Sequence, residues 1–180
     1  WSSDVCSSDL VCSQFVCPIN CVCQTYTAQC LHQNMTALPQ LSQYLRFLSF
    51  YGNWLQTWSP EYHQYLQRLN LSNNHIQMLS RPIVMNFLKV IDVSKNFIRL
   101  IQSRSFSNMV HLSELYISDN PLKRLSAFSF MGLTNLESLS LSELGLNVID
   151  QCTFCGICNV TFLNLSNNDI TGVSKGMFSG

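Results

Sequence analysis

Cys152, Cys155 and Cys158 stand three residues apart in the run CTFCGIC, a spacing at which thiolates can help to hold a tetrahedral metal ion. The simpler chemistry is oxidation. One pair bridges locally, Cys152 with Cys158, and the third thiol is buried as a small apolar residue beside Phe154. A second cluster, Cys17, Cys21, Cys23 and Cys30, lies in CPINCVCQTYTAQC and is open to the same two readings, a disulfide framework or a zinc site. His32, His63, His75 and His111 share no phase and fall in no metal-binding or nucleophile motif, so turn or surface positions are expected for them. Asp92, Glu114 and Glu137 could suggest paired carboxylates, but no insertion near them is long enough to build a pocket. No enzymatic activity, metal or cofactor is expected.

The elements that position these residues are set by a repeat. The phrase Leu, two residues, Leu, one, Leu, two, Asn, one, Leu occurs as LRFLSFYGNWL from Leu45, LQRLNLSNNHI from Leu66 and LKVIDVSKNFI from Leu88. It returns as LSELYISDNPL from Leu112, LESLSLSELGL from Leu136 and VTFLNLSNNDI from Val160. A second column keeps the same register: Phe106, Phe130, Phe154 and Phe178 fall 24 residues apart. Alternation about the central Leu-x-Leu is the period of a strand, and the repeat length allows one strand, a return segment and two turns. Each repeat is thus one coil of a solenoid whose strands form a parallel sheet, with Leu69, Leu71 and Ile76 among the residues stacked inside.

Asn53, Asn74, Asn96, Asn120 and Asn168 close the strands, where a short amide can both donate to and accept from turn backbone. They are expected to form a structural ladder. Leu144 takes the fifth position, which predicts a break in the ladder and a looser turn. Residues alternating with the core leucines face outward. One column reads Phe47, Arg68, Val90, Glu114, Ser138 and Phe162; the next reads Ser49, Asn70, Asp92, Tyr116, Ser140 and Asn164; the third is Tyr51 followed by serines. Phe47, Tyr51, Arg68, Asp92, Glu114 and Tyr116 are the candidate contacts for a protein or peptide ligand, since aromatic and charged anchors dominate interface energy.

Composition limits the alternatives. Ten Lys and Arg balance ten Asp and Glu without a basic run, so nucleic acid is not an expected partner. No apolar stretch approaches the roughly 20 residues that span a bilayer, so membrane attachment would need a segment downstream of Gly180. Nine cysteines suit an oxidising compartment. Asn-x-Ser/Thr triplets at Asn34, Asn70, Asn159 and Asn164 are candidate glycosylation sites and agree with an extracellular or cell-surface location.

The repeat phrase resembles that of extracellular leucine-rich-repeat proteins over about residues 17 to 180. The resemblance implies an α/β-type repeat solenoid: a right-handed horseshoe with a parallel β-sheet on its concave face and irregular or 3₁₀ segments on its convex face. The cysteine run before TALPQ resembles the N-terminal cap of such proteins, which implies Cys17 paired with Cys23 and Cys21 with Cys30. Residues 11–40 are then the N-terminal segment and cap, and 41–180 about six repeats, with the array stopping in mid-repeat at GMFSG. The stretches ESLSLSELGLNVIDQCTF and CVCQTYTAQC are similar to leucine-rich-repeat G-protein-coupled receptors of the relaxin-receptor type; Toll-like receptors are also similar. These likenesses imply a ligand-binding ectodomain of a cell-surface receptor, with a secreted matrix or adhesion protein as the alternative. Residues 1–10, WSSDVCSSDL, resemble a translated sequencing adapter. They are expected to be disordered and to withdraw Cys6 from the disulfide arithmetic, and Cys12 is expected to have a partner upstream.

Overall fold

The structure, a computed structural model, describes residues 17–57, 65–79 and 85–178. The expectations for residues 1–10, Cys12 and His63 lie outside these. A hairpin begins the described chain, β1 (Val22–Gln24) running antiparallel to β2 (Thr27–Gln29). β2 then pairs in parallel with β3 (Phe47–Ser49), and β4 (Arg68–Asn70), β6 (Val90–Asp92), β8 (Glu114–Tyr116), β10 (Ser138–Ser140) and β12 (Phe162–Asn164) follow in order to complete an eight-stranded sheet. These last six strands mark coils 1 to 6. On the opposite side of the coils, β5 (Met78–Leu79) pairs with β7 (Leu100–Ile101) and β9 (Arg124–Leu125) with β11 (Val148–Ile149), all in parallel.

The register is uniform because the repeat is. Leu48, Leu69, Ile91, Leu115, Leu139 and Leu163 are paired strand to strand, as are the outward residues on either side of them. Leu48, Leu69, Ile91, Leu115 and Leu139 are buried within one continuous core. Short strands exposed on one face and buried on the other cannot be stable singly; stacking buries each coil against the next. The Phe column forms a spine: Phe106 stacks on Phe130 at 6.2 Å between ring centroids, Phe130 on Phe154 at 5.8 Å, and Phe154 on Phe178 at 5.3 Å. Gly132 lies where two coils touch. At its φ of +101° an added Cβ would sit 2.6 Å from the Ser107 Cα, so only glycine lets these backbones approach.

Buried asparagines fasten the coils together. Asn96 Nδ2 donates to Leu71 O in the preceding coil and to Val93 O in its own, both at 3.0 Å, while its Oδ1 accepts from Ile76 N at 2.9 Å. Asn53, Asn74, Asn120 and Asn168 repeat the pattern. Phe50 O, Leu71 O and Val93 O therefore each receive two amides, one from the same coil and one from the next; Leu71 O, for example, accepts from Asn74 and Asn96.

One expectation needs correction. Leu144 leaves the ladder without a side-chain donor, so Ile117 O keeps only Asn120 and Leu141 O only Asn168. The turn there is not loose, however: Leu122 N donates back to Asn120 O at 2.8 Å and Lys123 N to Leu144 O at 3.0 Å, and Leu144 is itself buried. Of the two forms expected for the convex segments, irregular or 3₁₀, the described ones take the irregular form. Ser105, Ser107 and Met109 donate to Gln102, Arg104 and Phe106, but these i to i−3 bonds fall on alternate residues, and a 3₁₀ run needs consecutive ones. Arg104, Phe128 and Cys152 take positive φ values of 62°, 60° and 55° at the start of these segments, which divides them into separate turns.

Candidate functional site

The outward face of the eight-stranded sheet is the candidate functional surface that the repeat builds. Its columns follow the strand pairing: Thr27, Phe47, Arg68, Val90, Glu114, Ser138 and Phe162 are successive partners, and Gln29, Ser49, Asn70, Asp92, Tyr116, Ser140 and Asn164 form the next column. The cap strand thus adds one position to each. Arg68 and Phe162 are exposed, and Phe47, Tyr51, Asp92, Glu114 and Tyr116 are half-buried by their neighbours.

The six candidate contact residues divide into two groups. Phe47 and Arg68 are direct partners on β3 and β4, and Tyr51 meets His32 edge-on at 4.9 Å between ring centroids. Further along, Asp92 and Tyr116 are partners on β6 and β8, and the Tyr116 hydroxyl donates to Glu114 Oε2 at 2.7 Å. That bond raises the Tyr116 pKa above 10.0, because ionising the phenol would lose the donor and set a phenolate beside a carboxylate; burial and the charges of Glu114 and Asp92 push the same way. Tyr116 is therefore a neutral donor and aromatic surface, not a base. In coils 4 and 5 the centre of the face is low and hydroxyl-lined: Ser118 Oγ lies 2.8 Å from Ser140 Oγ and accepts from Ser142 Oγ at 3.0 Å.

Asn70, Asp92 and Asn164 share a local role. Each Oδ1 accepts the backbone N–H two residues on, from Ser72 at 2.8 Å, Ser94 at 2.9 Å and Ser166 at 3.0 Å, closing an Asx turn at the end of its strand. Asn70 and Asn164 also accept the serine hydroxyl. Two of the four Asn-x-Ser/Thr triplets thus have a structural reason to exist. Of the others, Asn34 is exposed on the cap loop, and exposed Asn159 donates its amide to Thr134 O at 2.7 Å.

The cap cysteines join as Cys17–Cys23 and Cys21–Cys30, with Cys30 and Ala28 fully buried against the first coil. In the second cluster the structure joins Cys152 to Cys155 and not to Cys158. A turn closed by Cys155 N donating to Cys152 O brings their α-carbons to 4.7 Å, whereas Cys158 follows a second turn and is an exposed thiol, not a buried one beside Phe154. Among the described residues no group of three or more His, Cys, Asp or Glu is placed to hold a metal ion. His32 and His111 are exposed.

Two aromatic rows outside the outward columns flank the sheet. Trp54, His75 and Phe97 each follow a ladder asparagine, and His75 lies between the other two rings at 5.5 and 5.3 Å. On the other flank, Tyr65 and Phe87 each precede the first leucine of a repeat and stack at 6.2 Å, with the Arg46 guanidinium 5.9 Å from the Tyr65 ring centre. Sequence reasoning centred on Leu-x-Leu misses both rows, although each is a column of the repeat once its flanking positions are aligned like its central ones.

The leucine-rich-repeat family model matches residues 64–122 and 86–143, and a second leucine-rich-repeat model matches residues 156–174. No curated protein sequence matches the chain. Among solved structures, human 5T4, also titled Wnt-activated inhibitory factor 1 or trophoblast glycoprotein, matches 85% of this chain with a TM-score of 0.72 and 23% identity. The TLR13 chain of a complex with ssRNA13 matches 77% with a TM-score of 0.60 and 23% identity. The chain covers 63% of the first of these and 24% of the second. Repeat, stacked parallel strands and disulfide-bonded cap agree with these likenesses: the chain belongs to the leucine-rich-repeat family.

Proposed function

We propose that the chain is an extracellular protein-recognition module whose concave sheet face binds a protein or peptide ligand, as part of a cell-surface receptor ectodomain. The observation that carries this reading is the continuous outward face on which Phe47, Tyr51, Arg68, Asp92, Glu114 and Tyr116 are arrayed in register over coils 1 to 4, free of any covering insertion among the described residues. A rigid scaffold holding aromatic and charged side chains in fixed columns loses little entropy on binding. Disulfides and glycosylation triplets support an extracellular setting. The fold likeness to 5T4 and TLR13 fits a receptor of the G-protein-coupled or Toll-like kind and fits a secreted matrix protein equally, since fold alone does not assign function. Reading the full-length transcript separates these: seven apolar spans select the first, one span with a cytosolic domain the second, and none the third.

The binding face itself is tested by screening the purified, multimerised chain against cell-surface and secreted proteins. For any protein captured, Phe47→Ala with Tyr116→Ala should weaken binding at least about tenfold, a loss typical of anchor residues, while the convex Gln102→Ala should not. Equal binding by both variants would sink the concave-face reading.

A further inference from the structure

The charge on the concave face is divided along the solenoid. Arg46, Arg68, Lys89 and Lys95 stand on the sheet face or its two rims in coils 1 to 3, with Asp92 the one acid among the described residues there. Glu114, Asp119, Glu137 and Glu143 occupy the same face and rims in coils 4 and 5, with no base. Arg68, Lys89, Lys95, Asp119, Glu137 and Glu143 are exposed. None of these charges forms an ion pair: the one ion pair among the described residues, Arg124 with Asp150, lies away from this face. The whole chain is formally neutral, so the division is not a by-product of net charge. At roughly 4.8 Å per strand the centres of the two halves are about 12 Å apart, beyond the Debye length of about 8 Å, so a partner meets them as separate patches. Asp119 and Glu143 hold like charges at the same position of consecutive coils, a small cost to the isolated fold that an opposing cation removes.

We infer that the partner is a polypeptide whose contacting surface carries two separate charge clusters, an acidic one seated on coils 1 to 3 and a basic one on coils 4 and 5. This rests on the concave-face reading above and narrows it. A polyanion would gain on the first coils and be repelled by the next two, and a uniformly basic segment the reverse. A second copy turned end for end would match the charges, but two concave faces touch only at their rims. Opposed patches set register and association rate, since a partner displaced by two coils meets like charge.

The test uses fluorescent peptides of identical composition: one with an acidic block, a glycine-serine spacer and a basic block, the other with acidic and basic residues alternating. The block peptide should bind the chain at least about tenfold more tightly at low salt and lose that preference at about 0.5 M NaCl. Asp119→Lys with Glu137→Lys and Glu143→Lys, all exposed and outside the Tyr116–Glu114 hydrogen bond, should abolish the preference and confer binding of an all-acidic peptide. Equal binding of both peptides, no block-peptide binding up to about 1 mM, or an unchanged preference in the charge-reversed variant overturns the inference. So does a salt-sensitive dimer of the chain that the charge reversal disrupts, which would make a second copy the occupant. Phe47→Ala with Tyr116→Ala distinguishes the levels: if both peptides bind equally and that variant weakens both, the divided charge fails and the concave face stands; if no substitution on the face matters, both fail.

Discussion

At the scale of the residue, the side chains that fix the fold and those that face a partner differ in what their polar atoms touch. Asn96 is buried, and all its bonds go to backbone. In Asn96→Ala, Leu71 O and Val93 O each keep a second asparagine, but Ile76 N, facing the interior, loses its acceptor. The loss should cost about 2–3 kcal/mol, read as a lower urea midpoint at unchanged slope. Tyr116 instead spends its hydroxyl on Glu114 at the surface. Its raised pKa means that the folded chain holds this proton more tightly than the unfolded chain does. The contribution is fully present below the unfolded value near 10.0 and is lost as pH climbs through the higher folded value. Glu114→Gln removes the carboxylate charge, so the tyrosinate absorbance that disappears in Tyr116→Phe should develop at lower pH in the Glu114→Gln chain. An unmoved midpoint would show that Glu114 is not the cause.

At the scale of the element, strand positions were legible from sequence and turn chemistry was not. The six strands and their register followed from a period that never slips by one residue relative to Leu-x-Leu. The outward columns were legible for the same reason. The convex segments were legible only as irregular or 3₁₀, because whether bonds between residue i and i−3 occur consecutively depends on which residues adopt positive φ, and Arg104, Phe128 and Cys152 do so without being glycine. The disulfide at CTFCGIC turned on the same detail: a turn at Cys152–Cys155 brings that pair together, where spacing alone points to Cys152 with Cys158. Alkylation of the unreduced chain followed by peptide mapping should label Cys158 and leave Cys152 and Cys155 bridged; label on Cys155 with Cys152 joined to Cys158 would reverse the assignment. Glycine separates local conformation from coil packing. Gly145 has φ +63° with nothing within 4 Å of a built Cβ, so Gly145→Ala should cost only the left-handed penalty of about 1–2 kcal/mol. Gly132→Ala adds a collision with the Ser107 backbone and should cost clearly more in the same denaturation measurement.

At the scale of the molecule, stability passes from coil to coil, since sheet pairing, asparagine ladder and phenylalanine spine all link a coil to its immediate neighbours. Such an array has two vulnerable ends, and the cysteine cap protects one. β2 pairs with β3 through Thr27–Phe47, Ala28–Leu48 and Gln29–Ser49; Cys30 N donates to Ser49 O, and Asn53 Nδ2 to Cys30 O. Cys21→Ser with Cys30→Ser removes a bridge worth roughly 2–3 kcal/mol in the chain-entropy picture and places two hydroxyls where Cys30 is fully buried. If coupling is between nearest neighbours, the damage has a direction. Amide hydrogen exchange should speed up most at β2 and β3, less at β4, and hardly at all at β8 and β10, four or more strands from the lesion in the sheet order. A uniform acceleration from β3 to β12 would instead mean that the solenoid opens as one cooperative unit. Phe47 and Tyr51 would then weaken together with the acidic half of the binding face, and not ahead of it.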